Sequence, residues 1–424
     1  MKRLLITNGR VIDPASRMNR ITDILIESGK TKKISRRLSA RGCRKIDARN
    51  KLVVPGLIDM HVHLRDPGRP DEETIETGAR AAIAGGFTSI ICMANTEPPI
   101  DNDGLIHYVY EKSKKTNLCN VMPLGCITKG RRGEEITEMG LMAQAGAIGF
   151  SDDGNSVNSP EILRRALEYG KRLRTIIIEH CLDQELNQNG SMNEGIFSTL
   201  LGLRGSPSIA EEIIVARDIA IARYVNAPIH ITHVSTKGSV EIIRHAKKQR
   251  VRVTADTCPH YFTLTDERCK TFNTNYKVNP PLRFEEDRKA IIAGLKDGTI
   301  DAIASDHAPH TTNEKEVEFE AAPSGMVGLE TVVGLIFTEL VHKNRLTLAQ
   351  AIAKLTINPA KILGLKNKGR IAPGMDGDIT IIDPTLEWTF THKDIQSLSH
   401  NTPFIGWKLK GKAVTIIIGG QMKS

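Results

Sequence analysis

The chain has 424 residues, a formal net charge of +9 and 40% hydrophobic residues. This length predicts two or three structural units, or one large α/β barrel with an appendage, and the apolar content excludes wholesale disorder. No apolar run reaches the roughly 18 residues that span a bilayer, and the first apolar run is too short for a signal-peptide core. We therefore expect a cytoplasmic protein with no membrane partner.

The cysteines and the distribution of charge further restrict the class of protein to which the chain can belong. The seven cysteines are scattered and form no C-x-x-C pair, which predicts reduced, mostly buried thiols rather than disulfides or a thiolate zinc site. The basic segment Lys30–Lys45 is typical of an acidic or nucleic-acid partner, but it lacks interleaved aromatic residues. We interpret it as a solvated face and expect no nucleic-acid partner.

Apolar, β-branched runs alternate with amphipathic stretches through the middle of the chain. Such runs are typical of parallel strands buried on both faces. Eight of them predict a (β/α)8 TIM barrel, with a doubly wound open sheet as the alternative. The runs are Leu52–Leu64, Phe87–Ala94, Asn120–Ile127, Ala147–Ser151, Thr175–Cys181, Pro228–Val234, Val251–Thr257 and Ile300–Ser305. Helical patterns include Asp71–Ala84, Glu134–Ala145, Pro160–Leu173, Ala210–Tyr224, Ser239–Lys248, Arg288–Lys296, Leu329–His342 and Leu348–Lys354.

The two ends of the chain have a different pattern. Residues 1–53 and 370–424 show short alternating strands punctuated by Asn-Gly and Pro-Gly pairs. This pattern predicts a small β-sandwich domain that both termini build, beside a catalytic barrel at residues 54–369.

Histidines and carboxylates recur where the predicted strands end. His61 and His63 form an H-x-H motif in the first run, and alternate residues of a strand share a face. Because the carboxyl ends of barrel strands meet at one mouth, we expect these side chains to converge there. The same pattern recurs after the fourth, fifth, sixth and eighth runs, with Asp152 and Asp153, His180, His233 and Asp306.

This donor set predicts a metal site. Imidazoles and carboxylates without thiolates suit Zn²⁺ or another imidazole-binding divalent metal, as one ion or two. Such a site acidifies water and polarises a carbonyl, and Asp306 is the natural proton shuttle for hydrolysis of an amide. We interpret His230 as structural, whereas His260 remains ambiguous between the two roles.

Other polar residues near these strand ends are candidates for substrate binding. Arg65 follows the H-x-H motif by two residues on the predicted strand face, and its planar fork suits a carboxylate. Asn95 and Asn279 can bind the amide groups of a ring or, alternatively, cap loops. His310 can reach a second oxygen, and Gly325 can let a backbone N–H approach a ligand.

Several motifs together resemble those of dihydroorotases in the amidohydrolase superfamily. They are PGLIDMHVHLRDPG (55–68), MANTEPPID (93–101), GFSDDG (149–154), EHC (179–181), HITHVST (230–236), KVNPPLR (277–283) and ASDHAPH (304–310). The resemblance covers nearly the whole chain. It implies a zinc-dependent, reversible cyclisation of N-carbamoyl-L-aspartate to L-dihydroorotate plus water, in pyrimidine biosynthesis.

The resemblance also implies roles for individual residues. Many relatives bridge their metals with a carboxylated lysine, whose place Ser151 occupies here, and Asp153 (or, failing it, Asp152) serves instead. Asp306 is the implied general acid/base. One zinc is implied at His61, His63, Asp153 and Asp306, and a second, favoured but less secure, at Asp153, His180 and His233. The implied substrate-binding residues are His63, Arg65, Asn95, Asn279, His310, Ser324 and Gly325.

Two alternatives and several partners remain open. The chain could be another cyclic amidohydrolase, such as an allantoinase or hydantoinase, or a non-catalytic barrel that supports aspartate transcarbamoylase. We expect a homodimer or a higher oligomer. A transcarbamoylase partner could also order two polar loops near the site, Thr128–Glu134 and His310–Ala322.

Overall fold

The computed structural model describes residues 3–39 and 42–423 of the chain. The strands of the described residues are β1 Arg3–Thr7, β2 Arg10–Asp13, β3 Met18–Ile21, β4 Asp23–Glu27, β5 Lys30–Ser35, β6 Arg44–Asp47, β7 Leu52–Pro55, β8 Leu57–Val62, β9 Phe87–Cys92, β10 Asn120–Pro123, β11 Gly149–Phe150, β12 Ile176–Glu179, β13 Met192–Asn193, β14 Gly205–Ser206, β15 Ile229–Ile231, β16 Val253–Thr257, β17 Ala302–Ile303, β18 Ile379–Thr389, β19 Lys408–Ile418 and β20 Gln421–Lys423. The α-helices are α1 Ile75–Gly85, α2 Asp103–Thr116, α3 Met139–Ala145, α4 Pro160–Leu173, α5 Gln184–Asn187, α6 Ile196–Leu201, α7 Ile209–Val225, α8 Lys237–Lys248, α9 Pro259–Thr263, α10 Glu285–Asp297, α11 Thr312–Lys315, α12 Val332–Leu335, α13 Leu348–Leu355 and α14 Ile357–Ile362.

Eight parallel strands close into a barrel. One arc has the order β10-β9-β8 and the other has the order β11-β12-β15-β16-β17. Parallel bridges join the arcs at both seams, between Gly125 and Phe150 and between Val62 and His307. Each of the eight apolar runs supplies one of these strands, so the TIM-barrel prediction is confirmed and the open sheet is excluded.

Helices surround the barrel, and two of them begin later than their patterns predict. The stretch predicted from Asp71 becomes helical only at Ile75, because Thr74 caps the helix in a capping box with Thr77. The stretch predicted from Glu134 becomes helical only at Met139, because Ile136 forms an antiparallel bridge with Thr128 instead.

Both termini build a β-sandwich, as predicted. One sheet has the order β5-β4-β1-β6, and the other has the order β20-β19-β18-β7-β2-β3. Their facing sides share a buried core that includes Leu4 and Ile24 from the first sheet and Val53 and Ile379 from the second. Only Gly56 separates β7 of the sandwich from β8 of the barrel, and a Cβ there would lie 2.2 Å from Thr88 Oγ1. The two units therefore join closely, while the domain boundaries at residues 53 and 370 stay a prediction.

The segment between β18 and β19 leaves the sandwich and packs on the barrel. Phe390 and Phe404 are buried in one cluster with Tyr261 and Leu282, which follow barrel strand β16. This packing brings residues 391–407 close to the barrel mouth, where Asn401 Oδ1 accepts a hydrogen bond from the His310 N–H at 3.1 Å.

The cysteines are mostly buried, as predicted, and part of the basic segment is exposed. Six cysteines are buried, Cys43 is intermediate, and none of the described residues forms a disulfide. Lys32 and Lys33 on β5 are exposed, and Lys30 pairs with Asp376 at 2.5 Å. Residues 40 and 41 of the basic segment lie outside the described residues. No helix in the described part of the chain is long and apolar enough to cross a membrane.

Candidate active site

The predicted site residues surround a cavity at the carboxyl end of the barrel, with a volume of about 190 Å³. His61 lies just beneath it and is fully buried. The other predicted residues line the cavity: His63, Arg65, Asn95, Asp153, His180, His233, Asn279, Asp306, His310, Ser324 and Gly325. Gly154 and Ala308 complete the lining.

Four of these residues form a first group of metal-ligating atoms. His61 Nε2 lies 3.2 Å from His63 Nε2, and His63 Nε2 lies 3.2 Å from Asp306 Oδ1. Asp153 Oδ2 approaches His61 Nε2 to 3.2 Å. All four side chains are buried in this structure.

A second group shares Asp153 with the first. Asp153 Oδ1 lies 3.3 Å from His233 Nε2 and 3.6 Å from His180 Nδ1, and the two imidazole nitrogens are 2.9 Å apart. Asp153 therefore faces one group with each carboxylate oxygen, as a bridging ligand would. Asp152 faces away and accepts hydrogen bonds from the backbone N–H groups of Ile127 and Thr128.

The donor set fits a divalent metal such as zinc. Donor atoms about 2.0–2.1 Å from a tetrahedral zinc lie about 3.3 Å from one another, close to the separations within both groups. The charges also favour a cation at this position. Burial alone would lower the pKa of His61, but Asp153 and Asp306 outweigh it and raise that pKa to about 9. The two carboxylates thus stabilise positive charge between them.

Two residues of the metal-ligating groups lie in sharp turns just after barrel strands. β15 ends at Ile231 and β17 at Ile303, and the ligands that follow them, His233 and Asp306, have positive φ angles of 40° and 49°. Residues other than glycine rarely adopt this conformation, and it is concentrated at functional sites. Arg65 has a φ of 56° and lies in the loop after β8, so its predicted place on the strand face is wrong.

Hydrogen bonds fix the ring of His61. Its Nδ1 lies 2.8 Å from Thr232 Oγ1, and the Thr232 hydroxyl donates to the carboxylate of Asp256. Since that hydroxyl has one proton, its oxygen accepts from His61 Nδ1–H, which leaves the Nε2 lone pair for a metal. Asp256 also accepts from His230 Nε2 at 2.8 Å and from the His233 N–H at 2.6 Å.

Sequence reasoning missed Asp256, although a signal existed. Asp256 lies near the end of the seventh predicted strand, where a carboxylate matches the pattern of the other strand ends. The structural interpretation of His230 agrees with its pairing with Asp256. His260 is buried near Asp306, and its Nε2 has no hydrogen-bond partner among the described residues.

The two asparagines contact metal-ligand histidines. Asn95 Oδ1 lies 2.8 Å from His63 Nδ1, so it accepts the proton there and leaves Nε2 free for a metal. Asn279 Nδ2 lies 3.5 Å from His180 Nε2. Asn95 therefore orients the His63 ring as well as lining the cavity.

The wall opposite the metal-ligating groups is built by Arg65, His310 and the Ser324–Gly325 segment. Arg65 Nη2 lies 3.3 Å from His310 Nε2, which lies 3.0 Å from the Ser324 carbonyl oxygen. Gly325 has a φ of 139°, and a Cβ there would lie 3.1 Å from His310 Nε2. Its own N–H donates to the Lys277 carbonyl at 2.8 Å.

Comparisons with known proteins identify the family. A family described as "Dihydro-orotase-like" matches residues 50–239, and one described as "Amidohydrolase family" matches residues 295–421. Dihydroorotases from Pelobacter propionicus and Acetivibrio thermocellus are 51% and 50% identical over 420 and 419 residues, which cover 99% of this chain and 99% and 98% of theirs. The chain belongs to the dihydroorotase family. It is thus a hydrolase that acts on cyclic amides.

Solved structures from the wider superfamily share the fold. The L-hydantoinase (dihydropyrimidinase) from Arthrobacter aurescens is similar with a TM-score of 0.90 and 25% identity, over 100% of this chain and 96% of that one. A D-hydantoinase from a Bacillus species, AR9, has a TM-score of 0.86 and 25% identity, over 99% and 95% of the two chains. These likenesses support the barrel-and-sandwich architecture of the dihydroorotase family member described here.

Proposed function

We propose that this chain catalyses the reversible hydrolysis of L-dihydroorotate to N-carbamoyl-L-aspartate with zinc as its metal, in pyrimidine biosynthesis. One observation carries the proposal: a single cavity is lined by residues of both metal-ligating groups and by Arg65. A substrate with a ring amide next to a carboxylate suits this cavity. The amide would be activated by the metal, and the carboxylate would be bound by the cationic Arg65.

The metal would be held by the two groups of donors. His61, His63 and Asp306 would hold one zinc, His180 and His233 a second, and Asp153 would bridge them. When bound, zinc supplies a Lewis acid for the amide carbonyl and lowers the pKa of water. The two-zinc form is favoured because Asp153 turns one oxygen toward each group.

Asp306 is the proton carrier in this proposal. In the hydrolytic direction it takes a proton from the attacking water as the water oxygen bonds to the amide carbon, and returns it to the ring nitrogen as the C–N bond breaks. Burial opposes ionisation, but nearby His61 and His63 hold the pKa of Asp306 well below its usual range. The carboxyl group is therefore ionised and ready to accept the proton.

The opposite wall would bind the substrate carboxylate. Arg65 is half-buried, and its Nη1 makes no hydrogen bond to any of the described residues, so that end of the guanidinium can bind a ligand. Asn95, Asn279 and His310 would contact the remaining polar atoms of the substrate. His63 and the Ser324–Gly325 backbone would complete the substrate site.

The first test is hydrolysis of dihydroorotate by the purified chain, with zinc per chain measured on the same sample. We expect turnover with one or two zincs, loss of turnover after chelation, and recovery when Zn²⁺ is added back. Hydantoin and allantoin serve as competing substrates. Turnover of either of these without turnover of dihydroorotate would favour another cyclic amidohydrolase, and zinc binding without any turnover would favour the non-catalytic alternative.

We also propose an assembly for the chain. It would act in the cytoplasm as a homodimer or a larger oligomer, and an aspartate transcarbamoylase could order the loops Thr128–Glu134 and His310–Ala322. The first loop reaches the site, since Arg131 Nη2 donates to the Asp153 carbonyl. Limited proteolysis with and without the transcarbamoylase tests this, and identical cleavage of both loops would contradict it.

A further inference from the structure

Glu72 is a buried carboxylate beside the cavity that the reaction above does not use. It lies in the loop between β8 and α1, and only 3% of it is exposed. Its Oε2 lies 2.8 Å from Arg65 Nε, and its Oε1 lies 3.3 Å from His310 Nδ1. Arg69 Nη1 also lies 3.3 Å from Oε1, so a cation is already present on the outer side.

These contacts join two distant parts of the chain. Arg65 follows the first barrel strand and His310 follows the eighth, so the two residues meet across the seam where the barrel closes. Glu72 is the acidic group that both of them contact. Glu72 therefore contacts two of the residues that build the wall opposite the metal-ligating groups.

The geometry leaves the binding end of Arg65 available. Glu72 engages Nε on the stem side of the guanidinium, and the Pro309 carbonyl accepts from the same nitrogen at 3.2 Å. The guanidinium of Arg65 is half-buried and faces the buried carboxylate of Glu72, so each supplies the counter-charge of the other when no substrate is present. Because Glu72 does not occupy Nη1, a ligand carboxylate can still approach the outer edge of the fork.

We propose that Glu72 is a positioning residue that holds Arg65 and His310 in the arrangement that recognises the substrate carboxylate. This inference rests on the proposed function, because it assigns Arg65 and His310 to the carboxylate of dihydroorotate. It predicts that Glu72 governs discrimination between dihydroorotate and dihydrouracil, the same ring without the carboxylate. A purely structural role would affect the hydrolysis of both rings equally.

The test compares Glu72→Gln with a matched control, Glu76→Gln, four residues further along. Glu76 is exposed on α1 and pairs with exposed Arg80. For Glu72→Gln we expect KM for dihydroorotate to rise roughly 10–100-fold, as for loss of a hydrogen bond to a charged group. We expect kcat to change less than about threefold, and zinc content and dihydrouracil hydrolysis to stay at wild-type levels. Glu76→Gln should behave as wild type.

Other outcomes separate the two proposals. An unchanged KM, or equal losses with both rings, would overturn the role of Glu72 while leaving the proposed function intact. Failure of the wild-type chain to hydrolyse dihydroorotate would instead overturn the proposed function. If Glu72→Gln does not fold, Glu72→Asp keeps the charge but is one methylene too short to reach both partners. It should raise KM for dihydroorotate selectively by a smaller factor, and an unchanged KM in that variant would also overturn the proposal.

Discussion

The two walls of the cavity are built in different ways. On the metal-ligating wall, side chains come from the ends of barrel strands, and they are His61, His63, Asp153, His180, His233 and Asp306. On the opposite wall, His310 and Ser324 lie on longer loops. Arg65 is three residues past β8, as Asp153 and Asp306 are past their strands, but its side chain contacts loop residues. The first wall takes its geometry from the sheet, whereas the second depends on buried ion pairs and on side-chain hydrogen bonds to carbonyls.

This difference predicts how each wall responds to substitution. A change at a strand-end ligand should affect the chemical step directly, because the surrounding sheet does not rearrange. A change at a loop anchor should act at a distance, on the affinity for the substrate or on the stability of the loop. The predictions below test this contrast, from the largest expected effect to the smallest.

Asp306→Asn should produce the largest loss of catalytic activity. The variant keeps the shape of the side chain but cannot carry the proton, so we expect kcat to fall by about 10²–10⁴-fold. Metal should remain at least partly bound, since His61, His63 and Asp153 are unchanged. The measurement is kcat for dihydroorotate together with zinc per chain, with Asp103→Asn, an exposed residue on α2, as the control. Full activity in Asp306→Asn would contradict its role as proton carrier.

The contrast also explains what the sequence could and could not predict. Strand ends converge in any closed parallel barrel, so the H-x-H motif and the later histidines identify the metal-ligating wall without knowledge of the loops. Nothing in the sequence shows that Glu72 meets His310, because 238 positions separate them and neither lies on a strand. The predicted place of Arg65 on the strand face is wrong because β8 already ends at Val62.

Asn95→Ala should have an intermediate effect and would show that this residue belongs to both walls. Loss of its Oδ1 leaves His63 Nδ1–H without its acceptor, so the ring and its tautomer are less well fixed. Loss of such a contact typically lowers metal affinity 10–100-fold. Competition with a chelator measures the zinc affinity, and Asn102→Ala, which removes an exposed helix cap, is the control. An unchanged zinc affinity would restrict Asn95 to substrate binding.

Lys315 anchors the loop wall and provides the most subtle test. Its Nζ donates to the carbonyl oxygens of Pro323 and Gly325, at 2.8 and 3.1 Å, and so holds both sides of Ser324. Burial, reinforced by the positive charge of Lys277 and opposed by Glu314, lowers the pKa of Lys315 to about 7. In the unfolded chain the pKa of a lysine is about 10.4.

This difference predicts a pH dependence of stability with a definite sign. Between pH 7 and pH 10.4 the unfolded chain binds a proton that the folded chain does not, so the contribution of Lys315 to stability rises with pH across this window. From pH 7 to pH 9 the wild type should gain at most about 2–3 kcal/mol relative to Lys315→Met, or a few degrees in Tm. Thermal unfolding of the wild type and of Lys315→Met at pH 7 and pH 9 measures this difference in stability. The control is Lys289→Met, a change at an exposed lysine. A wild-type-minus-variant difference that does not change with pH would show that Lys315 stays charged in the folded loop, held by the two carbonyls.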